Sequence, residues 1–185
     1  SEMCIRDSLS AVALTPTVLS LVLAVFLVVG AFAAMLASSD VHWWQDNLSA
    51  LGMSTNSASA AFNITLIIAG VMVTTIARYA TAGLPVDDPI DRRGRFIVRG
   101  GLILMGIFLA CVGIFPVDEF FLVHNTVATG MVVVFAVVVV GLPWFLRTIP
   151  RVFVAFGWAY VLVIILLASF LSLIHISEPT RQEAI

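Results

Sequence analysis

Residues 122–146 read LVHNTVATGMVVVFAVVVVGLPWFL. In water the block Val132–Val140 would favour a strand, because β-branched side chains fit a pleated surface. The stretch is nevertheless continuously apolar and does not alternate. A helix crossing hydrocarbon needs about 20 mostly apolar residues. In lipid a backbone must satisfy its own hydrogen bonds, which a helix does and a lone strand does not. A transmembrane barrel would need alternating segments of about ten residues. The stretch therefore predicts a membrane-spanning helix over 122–146.

Four more such stretches surround it. The first covers 17–38, with Pro16 suited to a first helical turn, where its missing N–H costs nothing. The others cover 59–79, 96–115 and 152 to beyond 170. A signal peptide is the rival for the first stretch. It is too long for a signal core, lacks a basic leader of its own, and more spans follow. The expected fold is all-α, a polytopic transmembrane helical bundle with five spans present.

Composition agrees. The chain has 185 residues, 61% hydrophobic and 11% charged, with a mean hydropathy of +1.12. An average soluble domain is about 25% charged and about 45–50% apolar. These values exclude a soluble globular enzyme, a disordered chain and a disulfide scaffold. The net charge is −2 and there is no lysine, so no basic surface for nucleic acid exists.

The two ends read differently from the middle. Ser1–Ser8 and Leu171–Glu178 are encodable by the two strands of a single nucleotide string. That string resembles a transposase-type sequencing adaptor, and Pro179-Thr180-Arg181 fits its continuation. The expected organisation is therefore 1–8 adaptor-encoded, 9–170 a transmembrane helical domain, and 171–185 adaptor-encoded, with the bundle truncated after 170. Within 9–170, Arg78, Arg92, Arg93, Arg95, Arg99, Arg147 and Arg151 balance Asp40, Asp46, Asp87, Asp88, Asp91, Asp118 and Glu119. Cys111 is then the lone cysteine, so neither an internal disulfide nor a two-cysteine metal motif is expected.

Charge sorting gives a topology. Connections 80–95 and 147–151, with their flanks, hold all seven of those arginines, whereas 39–58 and 116–121 hold none. Lys and Arg mark cytoplasmic loops. The N-terminus and the arginine-bearing connections are expected inside, and loops 39–58 and 116–121 outside. Trp43, Trp44, Phe120 and Phe121 suit an outer interfacial belt. The expected location is a prokaryotic plasma membrane. Gly83–Pro89 carries turn residues. The Arg92-Arg93-Gly94-Arg95 cluster is expected chiefly to set topology.

Polar chemistry gathers at the opposite level. Asp46, Asn47, Ser49, Asn63, Asp118, His124 and Asn125 come from four segments and fall at one membrane depth. They form the candidate ligand-binding set. Each has a structural reading as well. Asn63 lies about one turn into a span, where an interhelical hydrogen bond is worth about 0.6 kcal/mol on average. Ser49 and Gly52 could simply shape a returning loop, and Asp118 and Asn125 could act as caps or turn acceptors. His124, Asp118 and Ser49 are the catalytic candidates. Pairing with Asp118 would stabilise a charged His124. His124, Asp118 and Asp46 are conceivable zinc ligands. They lack a local ligand spacing, so no metal and no cofactor is expected.

The order Asn47-Leu48-Ser49-x-Leu51-Gly52, Phe62-Asn63, Gly113-x-Phe115-Pro116-x-Asp118, then His124 near the start of the next span, resembles a known family. This is the set of bacterial and archaeal membrane proteins catalogued as domain of unknown function 998. The likeness spans about residues 18–170. It implies a compact helical bundle, usually of about six spans, without a defined activity. Carried over by position, Ser49, Leu51, Gly52, Asn63, Gly113, Phe115, Pro116, Asp118 and His124 match its pattern.

Three functional readings compete. The first is a membrane protein with an outward-facing polar pocket for a lipid headgroup or small ligand, more binder than enzyme. The second is a membrane-embedded lipid hydrolase using His124 and Asp118. The third is a fragment of a transporter, which would need ionisable groups near the midplane. Thr65, Thr74, Thr75 and Thr129 offer only ordinary packing polarity there. Expected partners are membrane lipid, a small ligand or a partner membrane protein.

Overall fold

The computed structural model describes residues 2–38, 48–53, 57–84, 88–146 and 149–177. Five long helices follow one another: α1 Glu2–Ala37, α2 Ser57–Ala80, α3 Pro89–Ile114, α4 Phe121–Phe145 and α5 Arg151–Ser177. A short 3-10 helix, Leu48–Gly52, lies between α1 and α2. Among the described residues there is no strand. Thr15–Ala37, α2, α3 and α4 are long and apolar enough to cross a membrane. In α5 the stretch Arg151–Leu167 is apolar as well. The chain is thus a helical bundle of membrane type.

Its surface shows why. Leu122 is 78% exposed, Leu21 66% and Phe156 72%. In water such a surface would aggregate; in hydrocarbon it is the solvated face. Since lipid is as apolar as leucine, burial alone cannot drive these helices together, and close approach of small residues does instead. Buried positions of α2 include Ala58, Ser59, Ala69, Gly70 and Ala77; those of α3 include Gly94, Gly106 and Gly113. A Cβ placed on Gly106 would lie 2.6 Å from the Gly70 carbonyl oxygen and 3.0 Å from the Thr74 nitrogen. Two backbones touch there, and a side chain at either glycine would force them apart.

Each helix packs mainly on its sequence neighbours, α1 on α2, α2 on α3, α3 on α4, and α5 more lightly on α4. The short α2–α3 and α3–α4 connections make these pairs antiparallel. The bundle therefore has two ends. One holds Asn63, Gly113 and His124; the other holds Arg78, Arg95, Arg99 and Arg151. A buried apolar cluster sits at each: Ala34, Leu51 and Phe62 at the first, Val98, Val138 and Leu146 at the second.

Two boundaries differ from the sequence expectation. α3 starts at Pro89, so Arg92, Arg93 and Arg95 are helical. The cause is local. Asp88 has extended backbone, its Oδ1 accepts from Ile90 N at 2.9 Å, and Pro89 takes the first helical position. Apolar windows miss this polar first turn. α1 extends back to Glu2, which puts Pro16 inside the helix rather than at its start. An interior proline forfeits one ladder hydrogen bond. Ala13 and Leu14 before it and Leu19 after it are strong helix formers.

Candidate functional site

The chain turns from α3 to α4 through Phe115–Phe120. Phe115 ends α3 with φ −111° and ψ 88°, and its N–H still bonds Cys111 O. Pro116 follows, so the helix cannot continue past it. Helix ends leave carbonyls without intrahelical partners. The Phe115 carbonyl is one of these, and His124 satisfies it. Phe120 N donates to Pro116 O at 2.9 Å, and the Phe115 and Phe120 rings meet edge to face at 5.4 Å. These contacts tighten the turn and set the first turn of α4, where His124 sits.

His124 is only 5% exposed, and both ring nitrogens are engaged. Nδ1 lies 2.8 Å from the Phe115 carbonyl oxygen, and Nε2 lies 3.3 Å from Ser49 Oγ. A carbonyl oxygen only accepts, so Nδ1 carries the hydrogen. In the neutral ring Nε2 is then an acceptor, and the Ser49 hydroxyl donates to it. Two residues 75 positions apart in sequence form this pair.

Ser49 is placed by the 3-10 helix Leu48–Gly52. Leu51 anchors that helix against Ala34 and Phe62. Asn63 Nδ2 donates to the Gly52 carbonyl at 3.3 Å. A Cβ on Gly52 would lie 2.6 Å from Asn63 Oδ1 and 3.3 Å from the Phe62 ring, so glycine fits where an alanine would displace Asn63. Gly113 of α3 packs on the other side of Asn63, whose carbonyl a Cβ there would meet at 2.6 Å. Ser49, Leu51, Gly52, Asn63, Gly113, Phe115 and His124 thus form one connected arrangement.

The remaining sequence candidates stand apart from it. Asp118 is exposed, and no hydrogen bond or ion pair joins it to His124. The imidazole pairs with the Phe115 carbonyl instead. Asn125 is exposed as well. Asp46 and Asn47 lie outside the described residues, as do Trp43 and Trp44. Among the described residues, no three of His, Cys, Asp and Glu converge on a point where a metal could sit.

The arginine end contains a second polar arrangement that the sequence reading missed. Thr81 is 2% exposed, donates to Ala77 O at 2.6 Å and accepts from Arg99 Nε at 2.7 Å. Arg95 Nη1 reaches the Leu84 carbonyl at 3.4 Å. The available signal was a threonine just past one span and an arginine just inside the next, which an antiparallel hairpin brings together. Two cavities also lie at this end. One, of about 500 Å³, is lined by Thr74, Thr75, Arg78, Tyr79 and Ile103. The other, of about 420 Å³, is lined by residues of α4, α5 and their connection, including Arg151 and Trp158. Among the described residues every buried side-chain nitrogen and oxygen has a hydrogen-bond partner.

Comparison with known families gives a match to one described as "Protein of unknown function (DUF998)", over residues 20–180. The match takes in residues 171–180, which the sequence alone had placed outside the helical domain. No curated protein and no solved structure matches the chain.

Proposed function

The chain belongs to the family of proteins of unknown function DUF998, and we propose that in this member Ser49 and His124 form an acyl-transfer pair acting on a membrane lipid ester. The observation that carries this reading is the two-sided engagement of His124. Its Nδ1–H is held by the Phe115 carbonyl, which leaves Nε2 facing the Ser49 hydroxyl. This is nucleophile, base and orienting group in sequence, the logic shared by serine hydrolases on unrelated folds. The orienting group is a carbonyl rather than the carboxylate of Asp118.

The chemistry balances with these atoms. Ser49 Oγ attacks the ester carbonyl carbon while its proton passes to Nε2. The C–O bond to the lipid alcohol breaks, and the imidazolium returns the proton to that oxygen. Water then attacks the acyl-Ser49 by the same route, its proton passing through His124. The Phe115 carbonyl keeps the tautomer fixed throughout. It offsets less of the imidazolium charge than a carboxylate would, which points to a slow enzyme. Depth fits the substrate. His124 lies in the first turn of α4, near the end of a span, where ester linkages of lipids reside. By the positive-inside rule, the arginine end faces the cytoplasm and the pair faces the outer leaflet of a prokaryotic plasma membrane.

A second reading is a headgroup-binding site without chemistry. The exposure of Asp118 and Asn125 at the same end favours it. One experiment separates the two. The full chain in vesicles of phosphatidylethanolamine and phosphatidylglycerol should release fatty acid, and Ser49→Ala and His124→Gln should not. Lipid retention without any release would support the binder and end the hydrolase reading.

A further inference from the structure

The open cavity between α2 and α3 is the strongest unused feature. Four of its lining residues, Thr74, Thr75, Arg78 and Tyr79, occupy the last two turns of α2; Ile103 comes from α3. From this arrangement we infer that the cleft binds the phosphodiester headgroup of a membrane lipid, with Arg78 on the phosphate. Two neighbouring cations are already engaged. Arg99 donates to Thr81 and Arg95 to the Leu84 carbonyl. Arg78 is exposed, and no carboxylate among the described residues pairs with it. A planar guanidinium with five donors suits phosphate oxygens.

The threonines refine the ligand. Thr74 Oγ1 donates to Val71 O at 2.7 Å, and Thr75 Oγ1 donates to the same oxygen at 2.9 Å. Their hydrogens are taken by the helix's own backbone, so both hydroxyls have lone pairs to offer an occupant. A free anion gains nothing from lone pairs. A headgroup that joins a phosphodiester to hydroxyl or ammonium donors satisfies both sides of the cleft. Tyr79, half exposed beside Arg78, supplies the amphipathic ring common at membrane–water boundaries. A cavity of about 500 Å³ accommodates such a group.

The test uses the full chain in detergent with phosphatidylglycerol and phosphatidylcholine at equal concentration. Native mass spectrometry counts retained lipids. Wild type should keep one phosphatidylglycerol selectively. Arg78→Ala should weaken its retention about fivefold or more, and Arg78→Lys should weaken it less. The double variant Arg92→Ala/Arg93→Ala changes the net charge more and should leave the selective lipid bound. A third arm adds inorganic phosphate, which should not displace the lipid. Helicity by circular dichroism confirms that each variant is folded. Unchanged retention in Arg78→Ala, equal loss in the double variant, or displacement by phosphate would each overturn the assignment.

Discussion

Each end of the bundle has a hydroxyl side chain held by a basic one, yet the two are wired differently. At the arginine end Thr81 gives its hydrogen to the Ala77 carbonyl and accepts from Arg99. Its proton has nowhere else to go, because a carbonyl oxygen does not take one and a guanidinium is already fully protonated. At the other end Ser49 Oγ lies 3.3 Å from His124 Nε2 and donates to it when the ring is neutral. That nitrogen can take the proton, and the Phe115 carbonyl holds the ring in the tautomer that allows it. A threonine between a carbonyl and a cation is a fastener. A serine against an imidazole can also become a nucleophile.

The sharpest way to break the contrast is to remove both hydroxyls in turn. Ser49→Ala should cut release of fatty acid on the order of a thousandfold or more. Thr81→Ala should leave that rate unchanged per folded molecule, measured in the same vesicles. Next comes the seam that joins the ends. Gly106→Leu drives a side chain into the Gly70 and Thr74 backbone. It should lower stability by about 1–3 kcal/mol or more in denaturant titration, affecting both ends together. Arg99→Ala leaves buried Thr81 with an unused lone pair. It should cost about 1–3 kcal/mol without altering the chemistry at Ser49. Asn63→Ala loses a single long hydrogen bond to Gly52 and should cost about 0.6 kcal/mol. Any additional fall in turnover would show that the position of the 3-10 helix matters to Ser49. The smallest effect belongs to Asp118→Asn, exposed and apart from His124. Stability should stay within about 0.5 kcal/mol and turnover should be unaltered. A large loss there would return the orienting role to the carboxylate.

The fold was legible because a hydrocarbon solvent leaves few options. A run such as Val132–Val140 has strand propensity, but an isolated strand has no partner for its backbone in lipid, so helix was the only consistent reading. The start of α3 was less legible. The cap at Asp88 is a polar signal outside any apolar window, which is why Arg92, Arg93 and Arg95 read as a connection. At the site, residue types and depth brought Ser49, Asn63 and His124 to one level. The pattern shared with the family singled out Gly52, Gly113 and Phe115 as well. The actual partner of His124 was not legible, because backbone carbonyls leave no mark in a sequence. Side-chain chemistry pointed to Asp118, whereas the end of α3 supplied a carbonyl already in need of a donor. Thr81 escaped notice for a related reason: its role depends on Arg99, which only the antiparallel pairing of α2 and α3 brings near.

The central claim is that His124 activates Ser49. The most direct measurement is covalent labelling of the full chain in vesicles by a fluorophosphonate carrying an alkyl chain, with the adduct mapped by peptide mass spectrometry. The account predicts a phosphonyl adduct on Ser49 in wild type and Asp118→Asn, and none there in His124→Gln. No adduct on Ser49 in wild type, or an equal adduct after His124→Gln, would contradict it.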